Sequence, residues 1–98
     1  MKNRVELIIN DKTVANNDFV DSFIAGVAEG LVSALKGGNS FKRLSIKIEN
    51  EYVSVFFDGL PVQTNKFEDD MIKGTLVGMA GVLGNDEPVN RFIVHLDR

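Results

Sequence analysis

The chain has 98 residues and no cysteine, with 44% hydrophobic residues, 26% charged residues and a net charge of −3. This composition is typical of one globular domain and excludes disulfide-stabilised folds and cysteine-ligated metal sites. The acidic balance argues against nucleic acid as a partner, because binding phosphates requires concentrated positive charge. No apolar stretch is long enough to span a bilayer, and the N-terminus lacks a signal-peptide pattern. We therefore expect a soluble, cytoplasmic protein with no membrane partner.

The first predicted element is a strand in the apolar, β-branched run VELII at residues 5–9. An Asn-Asp pair follows as a turn, and the segment TVAN at residues 13–16 is a possible further short strand. Asn17 is placed to cap a helix, because its side chain can accept a hydrogen bond from a free amide of the first turn. A second strand is predicted near residues 43–49.

The same plan follows in the second half of the chain. The run VSVFF at residues 53–57 predicts a strand, and Asp-Gly after it is a strong signal for a short hairpin. The arm LPVQ at residues 60–63 is a possible short strand, which Pro61 confines to an edge or a bulge. Asn65 is placed to cap the second helix, and a last strand is predicted near residues 89–96.

The two halves are similar in sequence. Shifting the chain by 48 positions places residues 4–50 on residues 52–98 without a gap, and ten of the 47 pairs are identical. Ordinary composition would give roughly three identical pairs. We therefore predict a single domain, residues 1–98, made of two pseudo-symmetric repeats.

The strand and helix order predicts the fold class. The segment LSIKIENEYVSVFF at residues 44–57 has the pattern of a hairpin with an Asn-Glu loop. The order of elements is then β-α-β-β-α-β, with possible short hairpin arms. It resembles the ferredoxin-like sandwich, an α+β fold of two layers in which both helices cover one face of an antiparallel sheet. This resemblance implies that the first and third strands are the central pair.

Both predicted helices contain glycines, each of which costs about 1 kcal/mol relative to alanine. They are Gly26 and Gly30 in the first helix and Gly74, Gly78 and Gly81 in the second. Glycines four residues apart lie on one helical face and allow close approach to the backbone. We expect that they allow close packing of the helices on each other or on the sheet. Direct contact with a ligand is the alternative.

His95 is the only histidine, and strand alternation places it on the face of the sheet away from the helices. A general base or metal ligand needs partners on that same face, and Glu6, Glu49 and Asp97 are the acids available there. The sequence contains no nucleotide-binding motif and no cluster with metal-ligand spacing. We expect no catalytic residue, metal or cofactor.

The outer face of the predicted sheet carries apolar residues within a polar surround. In the ferredoxin-like order Ile8 and Phe56 are neighbours on the central strands, with Ile93 on the adjoining strand. Exposed patches of this kind are typical of binding surfaces. Tyr52 and His95 complete this candidate interaction face.

Three functional hypotheses follow. The first is a non-catalytic homo-oligomeric interaction module, with a dimer favoured. In it, two outer sheet faces meet around Ile8, Phe56 and Ile93, or the short arms pair between chains. The second is a regulatory or sensor domain that binds a small molecule, with contacts from residues that recur in both halves: Asn17, Asn65, Arg43 and Arg91. The third is a small enzyme that uses His95 with a nearby carboxylate. Nothing in the sequence recommends enzymatic activity over the other two.

Overall fold

The computed structural model describes residues 4–14, 17–35, 40–84 and 87–98. The fold is α+β, with one six-stranded antiparallel sheet and two helices. The elements in chain order are β1 (Arg4–Ile9), β2 (Lys12–Thr13), α1 (Asp18–Ser33), β3 (Arg43–Glu49), β4 (Tyr52–Phe57), β5 (Leu60–Val62), α2 (Lys66–Val82) and β6 (Arg91–Asp97). The second possible arm forms the short strand β5, whereas only Thr13 of the first arm belongs to β2. Val14 follows that strand, and Ala15 and Asn16 lie outside the described residues.

The order of strands across the sheet differs from the ferredoxin-like expectation. It runs β2-β1-β6-β3-β4-β5, so the central strands are β6 and β3 instead of β1 and β4. The physical reason lies in the two arms. A short hairpin places β5 beside β4, and another places β3 on its other side, so β4 has no free edge for β1.

The tight turns follow the residue types that the sequence provides. The loop between β3 and β4 and the predicted register are confirmed, with the pairs Leu44–Phe57, Ile46–Val55 and Ile48–Val53. The turn after β1 has positive φ at Asn10 and Asp11, and the turn after β4 has positive φ at Asp58 and Gly59. Two consecutive positive φ angles characterise the type I′ turn, which matches the twist of a hairpin.

One core lies between the sheet and both helices. Every second residue of β3 and β6 is buried, as in Phe92, Val94 and Leu96 of β6, and the inward residues of β1 and β4 are buried or half-buried. The buried residues of the two helices, such as Ile24 and Ile72, belong to the same cluster. Both helices therefore cover one face of the sheet, and the other face is open.

The predicted helix caps are confirmed. The Asn17 side chain accepts a hydrogen bond of 2.9 Å from the backbone N–H of Val20. Asn65 accepts one of 2.8 Å from Glu68 N–H, and the Glu68 carboxylate accepts one of 2.9 Å from Asn65 N–H. This reciprocal pair is a capping box, which satisfies two amides at the start of α2.

The turn at Asp58 also holds the neighbouring strand β3. Its Oδ1 accepts hydrogen bonds from the backbone N–H groups of Lys42, at 2.9 Å, and Arg43, at 2.8 Å. These bonds, the one from Arg43 first, lower the pKa of Asp58 below its ordinary value. At the matching turn, Asn10 Oδ1 accepts in the same way from Asn90 and Arg91 N–H. The neutral amide therefore fits this geometry as well as the carboxylate.

We expect Asp58→Asn to reduce the loss of stability in acid. A carboxyl group whose pKa is lowered by folding stabilises the native state above its unfolded-state pKa, and this contribution disappears as the pH falls through its folded-state pKa. Thermal melts from about pH 6 to about pH 2 should therefore show a smaller fall in Tm for the variant than for the wild type. Melting curves that fall in parallel would contradict a role for the Asp58 charge.

Candidate interaction surface

Only part of the predicted apolar centre of the outer sheet face forms. Ile8 pairs with Ile93 on adjacent strands, but Phe56 lies on β4, separated from β1 by two strands. All three side chains are half-buried, and the Lys47 ammonium lies over the Phe56 ring, 5.6 Å from its centre. The prediction that Ile8 and Phe56 are neighbours is wrong because it rested on the ferredoxin-like strand order. Tyr52, by contrast, is largely exposed at the start of β4.

Polar residues gather around His95 on this same sheet face. Its Nδ1 lies 2.8 Å from the Ser45 hydroxyl oxygen, and Glu6 lies opposite it in register on β1. Together with Arg43 and Asp97 these residues line a shallow depression of about 360 Å³. Among the described residues, no group of three or more histidines and acids is placed to hold a metal ion. The arrangement offers one hydroxyl–imidazole pair on an open surface.

The four proposed ligand contacts lie at separate places, and each has a partner within the chain. Asn17 and Asn65 cap the two helices. Arg43 Nε donates a hydrogen bond of 2.8 Å to Asp97, which raises the pKa of Arg43. Arg91 donates one of 2.7 Å to Asp11. The structure therefore does not bring these four side chains together.

The large exposed apolar side chains lie mainly on the outer face of the helices. Five of them are more than half exposed: Phe19 (76%), Phe23 (52%), Phe67 (72%), Met71 (52%) and Val82 (88%). At the size of such side chains, their exposed areas add up to roughly 600 Å². The rings of Phe19 and Phe23 stack in parallel, 6.4 Å between centres.

The helix glycines lie on this same outer face. Gly26, Gly30, Gly74, Gly78 and Gly81 are exposed. A Cβ atom added at any of them would meet no other part of the described structure within 4 Å. The expectation that these glycines allow close packing of the helices on each other or on the sheet is therefore wrong. Within residues 4–14, 17–35, 40–84 and 87–98, no contact requires their small size.

Aromatic residues and glycines form one stripe along α1. Residues 19, 23, 26 and 30 fall within about 60° of the helix circumference at 100° per residue. Ile24, Ala28 and Val32 occupy the buried side. The corresponding stripe of α2 consists of Phe67, Met71, Gly74 and Gly78. The helical spacing of these residues was readable from the sequence, but only the packing shows which side of each helix faces the sheet.

An apolar groove runs between the two helices. It is lined by Phe19, Val20 and Phe23 near the start of α1 and by residues of the last turns of α2, including Gly78 and Val82. Its volume is about 560 Å³. The groove therefore joins the aromatic end of the α1 stripe to the glycine end of the α2 stripe.

The outer helix face carries little charge in its central part. Glu29 is the only charged residue of α1 after Asp21, and its carboxylate accepts a hydrogen bond of 2.7 Å from Arg98. From Gly74 to the end of α2 no residue is charged. A helix face that remains in water is normally rich in charged residues. The outer helix face is therefore the candidate interaction surface.

No family model matches the chain, and neither a curated protein nor a solved structure matches it. In the described parts of the chain no helix has the length and apolar character needed to cross a bilayer.

Proposed function

We propose that this protein is a non-catalytic, homo-oligomeric interaction module, and that it self-associates through its outer helix face. The proposal rests on the combination of exposed aromatic side chains with helix glycines at which an added Cβ atom would meet open space. Exposed glycines lower helix stability, and exposed phenylalanines lower solubility. Both features become favourable when a second surface covers them.

The size of the face supports a second copy as the occupant. The Cα atoms extend over 34 × 34 × 18 Å, so the molecule is a slab with two broad faces. The helix layer on one of these faces consists of two helices of 16 and 17 residues, each about 25 Å long and about 10–12 Å wide with its side chains. Side by side they have a flat outline of about 500–600 Å², which is of the same order as the roughly 800 Å² that each partner buries in a standard interface. Docking of a second copy on the helix layer thus provides enough area for a stable dimer.

The charges near the helix face favour a protein partner over a lipid surface. Helices that bind anionic membranes carry lysine and arginine beside their apolar face. Here the first turns of both helices are acidic, with Asp18, Asp21, Glu68 and Asp69. These carboxylates would be repelled by anionic lipid headgroups. Acidic helix starts remain compatible with a dimer, because they stay at the edges of the face.

The experiment is the absolute mass in solution, by light scattering after size-exclusion chromatography over a range of concentrations. We expect a dimer for the wild type and a weakening of at least about 30-fold for the double variant Phe19→Glu/Phe67→Glu, in keeping with the loss of interface hot spots. Both substitutions lie in the first turn of a helix, where a carboxylate is favourable. The helices themselves should therefore remain folded.

The control is Phe56→Glu, which makes one such substitution on the sheet face. It should leave the mass unchanged. Dissociation by Phe56→Glu alone would move the interface to the sheet face and overturn the proposal. A wild type that is monomeric throughout would overturn it as well. Co-sedimentation of that monomer with phosphatidylglycerol vesicles would identify the helix face as a lipid-binding surface instead.

A further inference from the structure

Each helix stripe is self-complementary when it is paired with a reversed copy of itself. In α1 the bulky residues Phe19 and Phe23 come first, and Gly26 and Gly30 follow. When two copies of this stripe run antiparallel, Phe19 lies opposite Gly30 of the other copy, and Phe23 lies opposite Gly26. Large side chains then face bare backbone along the whole contact, as ridges-into-grooves packing requires.

The stripe of α2 has the same property. Phe67 comes opposite Gly78 of the reversed copy, and Met71 opposite Gly74. Phe67 and Met71 are 72% and 52% exposed, and both glycines have open space around them. In both helices the bulky residues thus occupy the first half of the stripe and the glycines the second half, which is the arrangement that an antiparallel pair requires.

We infer that the dimer is formed by antiparallel docking of each helix on its own copy, α1 on α1 and α2 on α2, with the aromatic residues and Met71 seated on the partner's glycines. This inference rests on the proposed function. A single two-fold axis generates both contacts if it lies in the plane between the helix layers and perpendicular to the helices. Such an interface is isologous, which is the commonest arrangement of homodimers.

The groove between the helices is compatible with one common axis. Phe19 and Phe23 of α1 lie beside Gly78 and Val82 of α2 along this groove, so the two helices run in opposite directions. Measured along the helix axes, the midpoint of the α1 stripe therefore lies close to the midpoint of the α2 stripe. One rotation then aligns both antiparallel pairs, and the two contacts add to one continuous interface. The four glycines allow the helix axes of the two copies to approach closely.

The test exchanges a bulky and a small residue within the full chain. Gly30→Phe should weaken the dimer at least about tenfold, because two phenylalanines then compete for one place. Phe19→Ala/Gly30→Phe should restore association to within about threefold of the wild type, since the new phenylalanine faces the new alanine. Mass measurement over a range of concentrations gives both values. Gly30 has open space in the monomer, so its replacement should not prevent folding, which circular dichroism checks.

The matched control is Phe67→Ala/Gly30→Phe, which has the same composition but removes the phenylalanine from α2. It should stay as weak as Gly30→Phe alone. If Phe67→Ala/Gly30→Phe restored the dimer and Phe19→Ala/Gly30→Phe did not, α1 would dock on α2 of the partner. That result would overturn the inference. If the wild type is a dimer and neither double variant recovers its association, the inference is also overturned. Self-association through the helix face would still stand. A monomeric wild type would overturn both.

Discussion

Replacement of Phe92 by alanine is expected to lower the free energy of unfolding by about 3–5 kcal/mol. Phe92 is completely buried on the central strand β6, where it lies between Ile9 of β1 and Ile48 of β3. Removing its ring loses the transfer energy of the side chain and leaves a cavity that neighbours on both sides cannot fill. Because domains of this size are stable by only about 5–15 kcal/mol, the variant should be near the limit of folding.

Urea unfolding of the wild type and variant at one protein concentration measures this effect, since association would otherwise shift the midpoint. The matched control is Phe56→Ala, which removes the same ring from the half-buried outer face. It should cost about 1 kcal/mol. Equal losses for the two variants would mean that the outer sheet face is covered in solution, which would contradict docking on the helix face alone.

The side of the sheet that faces the helices could be predicted in full from the sequence. Alternation along the strands assigned twelve residues to the inner face, and all of them belong to the core or pack against it. They are Val5, Leu7, Ile9, Leu44, Ile46, Ile48, Val53, Val55, Phe57, Phe92, Val94 and Leu96. This success has a simple cause: the period of two is a local property, and it holds for any lateral order of the strands.

The lateral order itself was not determined by that pattern. The ferredoxin-like order and the observed order share the same inner face and the same hairpin between β3 and β4. The difference depends on whether the short arms pair as strands, because β2 and β5 each occupy one edge of a longer strand. Strands of two and three residues carry too few side chains for a recognisable alternation. The Asn-Asp and Asp-Gly turns that precede these short strands were the available sequence signal for them.

The candidate surface was missed for a related reason. The sequence showed glycines four residues apart, but such a pair is equally consistent with a contact inside the monomer and with one outside it. Exposure decides between them. The aromatic residues Phe19 and Phe67 were visible as recurring positions, but their place on the outer side depends on how each helix is rotated against the sheet. That rotation follows from the whole core and not from one helix.

The substitution of alanine for Gly26, Gly30, Gly74 and Gly78 together is expected to stabilise the monomer by about 4 kcal/mol, about 1 kcal/mol at each position. An alanine Cβ meets open space at all four sites. The measurement requires a background that does not associate, which Phe19→Glu/Phe67→Glu provides. The control is Gly84→Ala: Gly84 has φ of +93°, so its replacement should destabilise the fold.

The same four substitutions in the otherwise wild-type chain should weaken the dimer, since each methyl group occupies space that the partner's side chain needs. The four alanines should therefore stabilise the monomer and weaken the dimer. A protein that does not associate would show no effect on a dimer, and glycines in contact within the monomer would show no stabilisation. An unchanged or lower stability of the four-alanine monomer would contradict the open space around these glycines. If the monomer became more stable and the dimer were not weakened, the glycines would not be part of the dimer interface. Stabilisation of the monomer together with loss of the dimer would mean that the helix glycines are retained for contact with a second copy of the chain.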